Sequence, residues 1–238
     1  MDDDHPLFDL SQFSFDEFVS FFFDHDVATE EFWHWDFDLA SLNNLGDEGV
    51  AAPQIIVEHM TRLFTHFAQV ASKFSLPQIN SGIWAMFGPS PFELHKYLWL
   101  SSTPLSARVA CIRSIYFVYS DFVAKSQVQV MENCFSMWWD FVASGFWEYL
   151  HYSEKTPQGD VGRLNLEQRT LLDSMFDTLS KILALPDDRT QGYALHGLGH
   201  LHHPGVRKLV QDFLDKNRSE MSDDGVRWVE QCRDGIVM

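Results

Sequence analysis

Residues 189–217, RTQGYALHGLGHLHHPGVRKLVQDFLDKN, hold four of the eleven histidines of this 238-residue chain. His196 and His200 are four apart, so on a helix they share a face. Two imidazoles in that register can each turn a ring nitrogen onto one metal ion, with a carboxylate from another helix or a third His completing the set. The zinc-protease pattern HExxH is not met, because Gly197 stands where the catalytic Glu would be. The bland alternative is packing and capping at a helix turn, where imidazoles hydrogen-bond terminal carbonyls. His202 and His203 sit at that turn.

Other candidate constellations are poorer. His25-Asp26 is a lone pair without the further ligands of a metallophosphohydrolase. Asp24 and Asp26 fit the first two positions of a calcium loop, but Ala28 takes the third and the glycine of the turn is missing. No GxSxG, GxGxxG or P-loop occurs. The expectation is a non-enzymatic protein without a cofactor, with a metal-dependent enzyme built on His196 and His200 as the competing reading.

Charge gives the other lead. Residues 1–61 hold 15 of the 34 acidic residues and no Lys or Arg, and the rest of the chain is nearly balanced, so the net charge of −17 resides at one end. Aromatic rings are interleaved with those acids between Phe8 and Phe37. Either the rings complete the core and the acids face water, or aromatic anchors sit in an anionic field and form a binding surface. The second option selects Asp24, Asp26, Glu30, Glu31, Trp33, Trp35, Asp36 and Asp38, and its partner is a basic protein. A host protein with a basic patch would fit. So would a toxin whose cleft is basic because it binds nucleic acid, which makes this chain an immunity or inhibitor type of protein. Direct nucleic-acid binding is disfavoured, since phosphate contacts need Lys and Arg clusters. A structural subunit of a larger assembly is a third option.

The helices that must position these residues can be read from caps and periodicity. Ser14 with Glu17 and Ser75 with Gln78 are capping boxes, and Asn165 caps another helix. Ile56, Met60, Leu63, Phe67, Val70 and Phe74 form one amphipathic stripe. Thr103-Pro104 predicts a cap and first turn, and residues 91–100 a short helix. An aromatic-rich helix is expected over about 130–149 and a terminal one over about 222–232. Residues 41–53 read as a loop and 151–162 as a linker. No clean period-two strand appears, so the fold is expected to be all-α, with about nine helices. The parts are an acidic aromatic segment, 1–50, a helical bundle, 51–150, and C-terminal helices, 163–238, in one continuous domain. No run is apolar enough to cross a membrane. The acidic N-terminus lacks the basic region of a signal peptide, and Cys111, Cys134 and Cys232 lie far apart, so a reducing cytoplasm is expected.

Residues 194–215 add a resemblance. Ala194, Leu195, Leu198, Gly199, Leu201, Pro204, Val206, Leu209, Val210, Phe213 and Leu214 match the pattern of one HEAT-like repeat. That resemblance implies helix pairs stacked as an irregular α-solenoid whose concave side binds protein. Such a unit cannot bury its apolar face alone and needs neighbours. Gly197 and Gly199 weaken a helix, so close helix packing is the expected reason for them.

Overall fold

The computed structural model describes residues 9–27, 52–88, 90, 92–126, 132–144 and 164–237. Among the described residues the fold is all-α, with ten α-helices and no strand. They are α1 Phe15–Phe23, α2 Pro53–Thr65, α3 Phe67–Ala71, α4 Leu76–Phe87, α5 Leu105–Phe117, α6 Glu132–Ala143, α7 Leu166–Leu183, α8 Asp188–Leu201, α9 Val206–Asn217 and α10 Asp223–Asp234. No helix among these residues is long and apolar enough to cross a membrane.

Local chemistry starts most of them. In α1, α4 and α7 the caps are Ser14, Ser75 and Asn165. Each accepts from the backbone three residues on, while the Glu17, Gln78 or Gln168 side chain accepts from the cap's own N–H. Asp187 caps α8 by accepting from Thr190 N at 2.9 Å, and Ser222 caps α10. The stripe from Ile56 to Phe74 is not one helix. At His66 the backbone leaves helical geometry (φ −114°, ψ 23°), which separates α2 from α3. Residues 91–100 give only a 3₁₀ turn, Leu94–Leu98. Thr103 makes no cap bond: it is buried, its hydroxyl has no partner, and α5 opens at Leu105 behind Pro104.

The helices pack in a chain of neighbours: α2 on α5, α5 on α7, α7 on α8. α8 also touches α6, α9 and α10, while α4 joins α1 to α6. The core is rich in rings. Trp138 of α6 stacks on Phe87 of α4 at 5.0 Å and meets Phe64 of α2 edge-on at 5.1 Å. Tyr119 donates its buried hydroxyl to the Phe135 carbonyl at 2.7 Å, which satisfies the polar tip of an otherwise apolar anchor. Cys111, Cys134 and Cys232 are buried and unbridged.

The acidic aromatic segment is part of this core as far as it is described. Phe18, Val19, Phe22 and Phe23 of α1 are buried, and α1 lies against α4 at Gly82. A Cβ there would come within 2.7 Å of the Phe22 carbonyl oxygen, so only glycine permits this approach. Asp16, Glu17, Asp24 and Asp26 face solvent. Glu30, Glu31, Trp33, Trp35, Asp36 and Asp38 lie outside the described residues.

Candidate metal centre

α6 and α8 pack closely along most of their length. Gly197 sets their separation: a Cβ on it would lie 2.8 Å from both Cβ and Cγ of Trp139 and 3.0 Å from Leu179 Cδ2. The contact with Trp139 fixes the next residue of α6, Asp140, opposite the histidine face of α8. Gly199 does the same on another side, where a Cβ would meet the Cys232 Cα at 3.2 Å.

The result is a three-residue cluster. Asp140 is buried, and the side chains of His196 and His200 are only 12 % and 22 % exposed. Asp140 Oδ1 lies 3.3 Å from His196 Nε2 and 3.6 Å from His200 Nε2, and the two imidazole centroids are 4.7 Å apart. One ligand atom from each of the three falls within 4.8 Å of the others.

Hydrogen bonding accounts for only part of this arrangement. The His196 Nε2–Asp140 Oδ2 distance is 3.5 Å, long for N–H···O, and the His200 distance is longer still. Asp140 Oδ1 and His200 Nε2 are buried without a hydrogen-bond partner. Two unsatisfied polar atoms facing one another in the interior carry a desolvation penalty that something must offset. A divalent ion about 2.1 Å from each nitrogen and oxygen sets neighbouring ligand atoms roughly 3.0–3.4 Å apart, for octahedral to tetrahedral angles. Two of the three pairs, at 3.3 and 3.6 Å, are near that spacing, and the third lies within 4.8 Å, so the imidazoles would close slightly on an ion. Burial lowers the His200 pKa, opposed by the Asp140 charge, so the ring holds its neutral, ligating form.

The four clustered histidines therefore divide by role. His196 and His200 converge on Asp140. His202 takes the left-handed conformation (φ 52°) that ends α8. His203 serves the turn: its Nδ1 accepts from Gly205 N at 3.0 Å, its Nε2 meets Asp173 at 3.1 Å, and its ring stacks on Phe176 at 4.1 Å. Burial also lowers the His203 pKa. His25 of the lone HD pair, just beyond the end of α1, contacts the Phe21 carbonyl of that helix at 2.6 Å. Asp140 was missed as a specific residue. The register of α8 asks for a carboxylate on a facing helix but does not say which one.

No family model matches this chain, and searches of curated proteins and of solved structures found no significant match.

Proposed function

We propose that the protein binds one divalent transition-metal ion through Asp140, His196 and His200. The observation that carries this reading is the pair of buried, unpartnered atoms, Asp140 Oδ1 and His200 Nε2, facing each other at near-ligand spacing. Two imidazoles and one carboxylate suit zinc, iron(II), nickel or cobalt better than calcium or magnesium, which prefer oxygen ligands. Three protein ligands leave at least one coordination position for water or substrate, the pattern of sites that do chemistry.

The test is equilibrium dialysis of the purified chain against zinc and cobalt, with elemental analysis. One equivalent is expected to bind, with a visible cobalt d–d spectrum that is absent in Asp140→Asn and His200→Gln variants. A wild-type chain that holds no metal at micromolar free ion overturns the reading.

The charge distribution favours a second reading, in which the acidic N-terminal segment meets a basic protein. Supporting it, Asp16 and Glu17 of α1 and Asp24 and Asp26 just beyond it are exposed while Phe18, Phe22 and Phe23 are buried, so this segment offers anionic groups on an apolar foundation. On this reading the protein is an inhibitor or immunity type of binding module acting inside the cell. A solenoid-like stack seated on the HEAT-like unit 194–215 would present it, and the packing of α8 against α7, α9 and α10 is consistent with such a stack. Capture of a basic partner at low salt, lost in an Asp24→Lys, Asp26→Lys, Asp36→Lys variant, is the expected outcome. Equal capture by the variant counts against it.

A further inference from the structure

A groove of about 920 Å³ runs between α2, α5 and α7 and shares no lining residue with the Asp140, His196 and His200 cluster on α6 and α8. Its volume lies in the range of small-molecule sites. Val109, Tyr116, Phe117 and Leu185 give it an apolar lining, and Phe117 is 40 % exposed, one of few large apolar side chains left so open. Three of its hydroxyls are turned inward: Thr61, Thr65 and Ser114 donate to the carbonyls of Val57, Thr61 and Cys111 on their own helices.

What remains to meet a ligand is positive charge. Arg113 and Lys181 line the groove, both are exposed, and neither forms an ion pair among the described residues. Among the described residues no acidic one lines it, although the chain has 34 acids against 17 bases. Nine of the other described cations are paired with carboxylates, so an apolar trough with two free cations and no acid is unusual on this surface.

We propose that this groove binds an amphipathic monoanion, a carboxylate carried on an apolar chain. The chain lies on Val109, Phe117 and Leu185, and Arg113 and Lys181 hold the headgroup. The protein's own charge selects a single-headed ligand over an acidic peptide. Every added negative charge must approach a body of net charge −17, whereas one headgroup is governed by the two cations within a Debye length of about 8 Å. A neutral apolar ligand would leave both cations unused, and a cationic amphiphile would be repelled from the groove.

The experiment is calorimetric titration of the full chain with dodecanoate, below its micelle concentration, beside dodecyltrimethylammonium. The expected result is one dodecanoate site. Affinity should fall at least tenfold in the Arg113→Gln, Lys181→Gln double variant, whose exposed positions leave folding intact, and separately in Phe117→Ser. Three results would each overturn the proposal: no saturable dodecanoate binding, equal binding of the cationic amphiphile, or unchanged affinity in the double variant. A dimer in sedimentation that is dispersed by Phe117→Asp would also overturn it, because a second copy would then be the occupant. Dialysis with zinc reports on a different cluster, so failure of the metal reading leaves this test unaffected.

Discussion

On the proposed metal reading, Asp140 serves a ligand rather than stability. Its Oδ1 has no partner, and its contacts with the two imidazoles are too long for good hydrogen bonds. Exchanging a carboxylate whose oxygen is already unsatisfied for an amide of the same shape forfeits no good hydrogen bond, whereas removing a working partner adds a penalty. Asp140→Asn is therefore expected to leave metal-free stability within about 1 kcal/mol of wild type. The same variant should abolish the rise in Tm that saturating zinc gives the wild type. Paired thermal melts with zinc and with chelator decide this, and a large loss in chelator would assign Asp140 a structural role instead. His95 makes the opposite case. It is 7 % exposed, its Nδ1 has no partner, and burial pushes its pKa down to about 4, with the Glu93 charge opposing the shift. The unfolded ring titrates near 6.5, so the unfolded chain binds the extra proton first. Stability from this residue is complete above pH 6.5 and falls as pH drops toward 4, by up to about 3 kcal/mol. Urea midpoints at pH 7, 5.5 and 4.5 should fall less steeply in His95→Leu than in wild type. Parallel slopes would show that the ring is not buried neutral.

At the scale of elements, two of the three glycines of α8, Gly192 and Gly197, have opposite consequences. Gly192 has nothing within 4 Å of an added Cβ, so it pays only the entropy of an unfilled helical position. Gly192→Ala should stabilise by about 0.5–1 kcal/mol. Gly197→Ala forces a Cβ against Trp139 at 2.8 Å and should destabilise by about 1–3 kcal/mol, displacing α6 and with it Asp140. Denaturation curves of both variants test the pair, and equal effects would refute the close-approach argument. This contrast also shows what the sequence can carry. The capping boxes at Ser14 and Ser75 and the cap at Asn165 were legible because the signal lies within four residues. His196 and His200 were legible because helical register alone puts them on one face. Asp140 was not, because it is 56 positions from His196, inside a run of rings where nothing local marks a carboxylate as inward-facing. The break at His66 and the idle Thr103 were misread because tertiary packing, which no local pattern records, sets them.

At the scale of the whole molecule, the question is how a chain of net charge −17 keeps its acidic end attached. Like charges on an appended arm would favour its release. Here α1 turns its acids outward and drives Phe18, Phe22 and Phe23 into the core, where Phe22 meets Phe18, Phe21 and Phe92 edge-on at 5.0–5.4 Å. His59 of α2 fixes the entry to the helix by contacting the Phe13 carbonyl at 2.8 Å, and Arg62 lies 4.0 Å over the Phe15 ring. One buried Phe contributes about 3–5 kcal/mol against truncation to Ala, a large share of a typical 5–15 kcal/mol folding free energy. Repulsion between exposed acids is weaker than this and screened by salt. Phe22→Ala should therefore lower the global urea midpoint of the full chain, in a single transition seen alike by far-UV circular dichroism and by Trp fluorescence, to which Trp138 and Trp139 of α6 contribute. If α1 were an independent arm, the variant would leave the tryptophan transition where it is in the wild type. A shared shift would show that α1 and its exposed acids are held by the same core that positions Asp140 against α8.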